Sequence, residues 1–294
     1  MGRVLLHGAL TALLASGVSA ASTGTADALV LCADPFAATA RLGIAAGAVT
    51  AGASAGTTNP AALTPGITAS GGTARLESST AGAAAAFSAG GGSTAGLAIQ
   101  WLGHGGIQGR DEAGMPTGEY SWSTGCLSAS FSTVLLPGLR AGASLGPVWE
   151  SADAEGATGL TSTIGLYSDA VPGLELGLSI DNLGSAPEWN GVRKNMPTGL
   201  TLGASWRPSA LLRLVGGGSL GFFTASRLSA AAEVPAGPVA VSGGWELAAD
   251  EPDASGPFFG AGYVYESSGS YRLDISVSRD EFGWPVLAGL SASF

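Results

Sequence analysis

The stretch "SYRLDISVSRD", Ser270 to Asp280, decides the fold. Tyr271, Leu273, Ile275 and Val277 alternate with Arg272, Asp274, Ser276 and Ser278. A period of two puts one set on one face of a β-strand and the other set on the opposite face. The rule recurs elsewhere. In "GLELGLSID", Leu174, Leu176, Leu178 and Ile180 oppose Glu175, Gly177, Ser179 and Asp181. In "LTLGASWR", Leu200, Leu202, Ala204 and Trp206 oppose Thr201, Gly203, Ser205 and Arg207, and in "VAVSGGWEL" Val239, Val241, Trp245 and Leu247 oppose Ala240, Ser242, Gly244 and Glu246. The final "WPVLAGLSASF" sets Trp284, Val286, Ala288, Leu290, Ala292 and Phe294 on one face against mostly Gly and Ser.

Composition says what the greasy face meets. Of 294 residues 46% are hydrophobic and only 12% charged, with 48 glycines and a mean hydropathy of +0.33. No apolar run reaches the ~18–20 residues of a spanning helix. Such a chain suits a closed antiparallel transmembrane β-barrel, all-β, with its apolar side chains spread over alternate positions facing lipid. A secreted β-sandwich would also explain the alternation, but would leave an unusually charge-poor surface. About fourteen strands fit between Gly72 and Phe294, an even count, with twelve as the alternative. Short turns are expected at Leu136–Leu139, Val171–Leu174, Arg207–Ala210, Val234–Pro238 and Ser267–Ser270. Connections that tend to be longer or more acidic are expected at Gly103–Gly118, Glu150–Gly156, Gly184–Pro197, Ala249–Gly256 and Arg279–Gly283. The second set holds Asp111, Glu112, Glu150, Asp153, Glu155, Asp250, Glu251, Asp253, Asp280 and Glu281, most simply a solvated loop surface. Trp101, Trp122, Trp149, Trp189, Trp206 and Trp284 fall near strand ends, where interfacial girdles sit.

The organisation reads as three parts. Residues 1–20 form a secretory signal with Arg3, an apolar core and a Val18-Ser19-Ala20 ending. Residues 21–70 form a periplasmic or lumenal segment, of which 33–66 are expected to act as a hatch; residues 71–294 form the barrel. Asn59-Pro60-Ala61 ends a Gly/Ala-rich run, because Asn bonds nearby backbone and Pro fixes φ. That run has little side chain to hold it off a lumen wall. The inward-facing charges Arg140, Glu175, Asp181, Arg207, Arg213, Glu246, Arg272 and Asp274 are expected to form ion pairs bracing lumen and hatch; a polar constriction selecting solutes is the alternative.

Chemistry is absent from the pattern. Beyond the signal one histidine remains, His104 in "WLGHGGI", with no Ser-His motif around it. No His/Cys cluster suggests a metal, no cofactor motif occurs, and the net charge of −10 excludes a basic nucleic-acid surface. Cys32 and Cys126 are too far apart in sequence to imply a pairing. A lipoprotein cleavage at Cys32 is excluded by the preceding Leu31 and the polar run before it.

Three stretches resemble the PorV/PorQ family of outer-membrane proteins, related to FadL-type fatty-acid channels: Arg41–Leu63, ending in Asn59-Pro60-Ala61; Gly105–Ser121, similar to a G-x-I-x-x-R-D-x-x-G loop; and Leu174–Pro208, with its Asn-Leu-Gly strand end. The resemblance implies a fourteen-stranded barrel with an N-terminal hatch in the outer membrane, and no catalytic residues. Phe294 resembles the aromatic C-terminal signal read by the barrel-assembly machinery. The implied surroundings are outer-membrane lipid and lipopolysaccharide. Two functions stand: an assembly component binding secreted cargo in a type IX-like pathway, and a FadL-like channel for small hydrophobic compounds gated by the hatch.

Overall fold

The computed structural model describes residues 29–74, 78–110, 113–153, 155–193, 195–249, 255–279 and 283–294. The signal (1–20), the carboxylates of Asp111, Glu112, Asp250, Glu251, Asp253, Asp280 and Glu281, and the side chain of Cys32 lie outside them. Cys126 carries a free, buried thiol.

The first strands are β1 (Gly66–Thr73), β2 (Ser79–Gly90), β3 (Ser93–Arg110), β4 (Pro116–Leu136), β5 (Leu139–Ala152), β6 (Glu155–Val171) and β7 (Leu174–Ser185). A hairpin of β8 (Glu188–Trp189) and β9 (Val192–Arg193) lies in the next connection. Then follow β10 (Gly199–Ser209), β11 (Leu212–Gly221), β12 (Arg227–Ala236), β13 (Val239–Ala248), β14 (Gly256–Glu266), β15 (Ser270–Ser278) and β16 (Val286–Ser293). Apart from the β8–β9 hairpin, which pairs only with itself, each strand pairs with its sequence neighbour. β1 also pairs antiparallel with β16, Ile67 opposite Ala292, so fourteen strands among the described residues close into a barrel. Closure removes both sheet edges, which is what lets a sheet sit in hydrocarbon without unpaired backbone groups.

The alternation holds on the opening stretch. Tyr271, Leu273 and Ile275 are exposed, whereas Asp274 and Ser276 are 1% and 4% exposed. Outward-facing Leu97, Leu127, Leu145, Ile164, Leu178, Val241 and Leu290 continue the apolar surface around the wall. The inner face is mostly Ser, Thr, Gly and Ala; Ser130, Ser144, Thr163, Ser179, Thr201 and Ser229 are buried there. Trp101, Trp206 and Trp284 are exposed on the outer surface.

Several expectations need correction. Trp122 points inward, against the cluster of Val30, Leu102, Cys126, Val148, Ala186 and Met196. Trp189 belongs to the β8–β9 hairpin, its indole N–H donating to Glu150 at 2.9 Å. The Gly103–Gly118 stretch is mostly ladder: β3 and β4 run on past their other neighbours and pair with each other up to Arg110 opposite Pro116. A bulge at Gly105–Gly106 marks where this ribbon leaves the barrel. The Glu150–Gly156 connection is a tight turn, since Ala152 already pairs with Glu155. β1 starts at Gly66, ahead of the expected boundary at 71.

Residues 29–63 lie inside this wall. They form 3₁₀ turns at Leu29–Cys32, Ile44–Ala48, Ala53–Thr57 and Pro60–Ala62, and one short helix, α1 (Ala37–Ala40). The path descends from the end with the long connections, where Val30 is buried against Ala186 and Met196, to the short-turn end, where Arg140 reaches Leu63.

Candidate functional site

The lumen is filled by backbone laid on backbone. Inward-facing Gly177 of β7 pairs with Gly203 of β10, and the Ile44–Ala48 turn rests on both. A Cβ at either position would meet the carbonyl of Ala48 or Ala45 closer than the 3.0 Å that real Cβ atoms keep. The same holds for Gly142 of β5 beneath Pro60 and Ala61, for Gly165 of β6 beneath Asn59, and for Gly260 of β14 beneath the Arg41 stem. Glycine is required at these positions because any side chain would hold the segment off the wall.

Asn59 is fully buried and bonds in three directions. Its side-chain amide donates to the carbonyls of Ala48 (2.7 Å) and of Leu166 in β6 (2.9 Å), and its Oδ1 accepts from the Ala61 N–H (3.1 Å). It thus ties two turns of the segment to each other and to the barrel. Pro60 follows at the first position of the last 3₁₀ turn, where its missing N–H costs nothing. Arg140 of β5 holds the lower end, donating to the carbonyl of Leu63 (2.8 Å) and to Ser132 Oγ (2.7 Å).

Charge gathers at the short-turn end. Arg41, beside α1 and 2% exposed, pairs with Glu233 of β12 and, through Nε at 2.9 Å, with Asp274 of β15. Arg272 Nε bridges both oxygens of Asp274 at 2.8 and 3.0 Å and sits 3.6 Å from Glu233 through Nη2. Arg213 of β11 lies 3.9 Å from Glu233 and 3.2 Å from Glu175 of β7, which also takes Arg207 of β10 at 3.0 Å. The network links five wall strands to the one guanidinium carried by the segment. Around Arg41, Glu233 and Asp274, the buried part of the network, each charge holds its geometry because removing a partner strands the other.

Of the charges expected in the lumen, Glu175, Arg207, Arg213, Arg272 and Asp274 come together here. Arg140 stands apart under Leu63. Glu246 pairs with Arg227 at 3.0 Å toward the other end. Asp181 accepts from Thr201 Oγ1 at 2.6 Å, its second oxygen buried without a hydrogen bond. Two members escaped the sequence reading, Arg41 and Glu233. Arg41 had a signal: with Asp34 it is one of only two charged residues in 33–66. Glu233 shares the parity of Ser229 and Ala231 on its strand, both buried. Phe294 follows β16 and is exposed. Asp34 accepts a hydrogen bond from the Phe36 N–H at 2.9 Å; burial pushes its carboxyl up to about 7.

No family model matches the chain, and no curated protein matches it in sequence. Solved structures do match in shape. The Pseudomonas putida toluene transporter TodX is 13% identical with a TM-score of 0.63, over 92% of this chain and 99% of that one. A Pseudomonas aeruginosa FadL homologue is 12% identical with a TM-score of 0.60, over 86% and 97%. The CymD monoaromatic hydrocarbon channel is 13% identical with a TM-score of 0.57, over 84% and 94%. At such identities the likeness is one of fold. It agrees with the FadL-related part of the resemblance, while the PorV/PorQ part rests on the three sequence stretches alone. The chain has the barrel fold of the FadL-type channels, with its own residues 29–63 set inside the wall.

Proposed function

We propose that this chain is an outer-membrane channel for small hydrophobic compounds, with residues 29–63 as its hatch. The observation that carries the reading is a barrel filled by a separately seated segment, in a fold shared with proteins named as a toluene transporter and a monoaromatic hydrocarbon channel. An apolar cluster at the long-connection end supports it: Val30 of the segment sits among Leu102, Cys126, Val148 and Met196, a place an apolar compound could take over. On this reading the short turns are periplasmic and Phe294 serves barrel insertion. The assembly reading with secreted cargo takes second place.

The test is uptake of radiolabelled toluene by cells whose outer membrane limits entry. Cells expressing the chain should take it up faster than cells without it, and Val148→Trp should slow uptake by filling the apolar cluster. Equal uptake with and without the chain, or enhanced passage of sugars in place of toluene, would refute the proposal.

A further inference from the structure

The ion network at the short-turn end is short of acceptors. Among the ion pairs of the described residues, four guanidinium groups, Arg41, Arg207, Arg213 and Arg272, share three carboxylates, Glu175, Glu233 and Asp274, one more cation than anion within the network. Glu233 is divided among Arg41, Arg213 and Arg272. Arg272 Nη2 is buried, with Glu233 3.6 Å away as its charged partner.

Beside these donors lies a cavity of about 240 Å³, lined by Arg207, Arg213, Arg272 and Glu233 together with apolar Pro235, Val239 and Val264. We propose that it is a binding site for a small organic carboxylate, separate from the apolar cluster near Val30. A planar pair of oxygens matches the guanidinium fork of Arg207, which lines the cavity with its side chain half exposed. A single negative charge matches the single excess positive charge; a phosphate dianion would exceed it. The ligand's apolar body would lie against Pro235, Val239 and Val264. The volume is below the ~300–1,000 Å³ of drug-sized pockets, so the ligand has about ten non-hydrogen atoms, the size of benzoate. An uncharged hydrocarbon would leave the donors as they are. The site goes beyond the channel reading, and binding to purified protein is read whether or not the chain transports anything.

The experiment is fluorine NMR on the full chain in detergent at low salt, with 4-fluorobenzoate as probe and 4-fluorotoluene as its uncharged counterpart. Saturable binding is expected for 4-fluorobenzoate alone, weakened by 1 M salt. Arg207→Gln should weaken it about tenfold by removing one charge-assisted donor. Arg207 is half exposed and does not touch Arg41, so the fold should persist, as heat-modifiable gel migration would check. The proposal is overturned if 4-fluorobenzoate binds no better than 4-fluorotoluene, if Arg207→Gln binds as the parent does, or if inorganic phosphate competes as well as benzoate.

Discussion

Replacing Arg41 by Met keeps the length of the side-chain stem and removes its charge. Arg41 is 2% exposed and pairs with Glu233 and Asp274. Breaking a buried ion pair from one side costs ~3–5 kcal/mol, because the partner is left charged and dry. Here Arg213 and Arg272 still serve the two carboxylates, so the lower end, about 3 kcal/mol, is the appropriate figure. That cost falls on seating of the segment rather than on the barrel ladder, since Arg41 belongs to no strand. At 1.4 kcal/mol per factor of ten, the unseated population rises roughly 150-fold. Native-state hydrogen exchange reads it directly. The amides of Ala46 and Thr50, bonded to the carbonyls of Gly43 and Ala46, should exchange about two orders of magnitude faster in Arg41→Met. Arg193→Met removes a pair whose side chains are 52% and 47% exposed and should change little, as surface pairs contribute ~0–1 kcal/mol. If Arg41→Met quickened those two amides by less than about threefold, or no more than Arg193→Met does, the anchoring role would be refuted.

Three further outcomes follow from the same packing. Gly177→Val should drive the Ile44–Ala48 turn off the wall at ~1–3 kcal/mol or more, giving protease access to residues 41–50 while the barrel keeps its gel mobility; continued protection would mean the glycine seat is not needed. Leu273→Arg should cost ~2–4 kcal/mol if the position sits near the bilayer midplane, lowering refolding yield into liposomes more than Ser276→Ala does; equal yields would contradict a lipid-facing Leu273. Burial pushes the Asp34 carboxyl up to about 7, well above the usual carboxylate range, so its neutral form is the one the docked segment prefers. Docking is then fully supported below about pH 4 and weakens as pH rises toward 7. Segment exchange corrected for intrinsic rate should therefore increase from pH 5 to pH 8 in the parent and stay flat in Asp34→Asn.

What was legible in the sequence was whatever repeats locally. The alternation in β7, β10, β13, β15 and β16 is a property of neighbouring residues, so it identifies a two-faced wall without knowledge of any partner. Connections were less legible. Gly103–Gly118 and the acidic Glu150–Gly156 read as loops because glycine and carboxylates are common there, yet cross-strand pairing carries the first mostly into ladder and closes the second as a tight turn. The site was legible only in pieces. The inward parity of Glu175, Arg213, Arg272 and Asp274 can be read off their strands, but Arg41 and Glu233 meet across 192 positions, and no local period reports that. The glycine seats escaped for the same reason. Which of 48 glycines must lack a side chain depends on where the segment lies, and Gly177 and Gly203 matter because Ala45 and Ala48 rest on them.

The measurement that bears most directly on the whole account is conductance in planar bilayers of the full chain beside a variant lacking residues 33–63. A wall occupied by its own segment should give a nearly closed pore in the full chain and a several-fold larger, steady conductance once the segment is gone. Equal conductance in the two proteins, both showing barrel mobility on gels, would mean that the segment does not close the lumen.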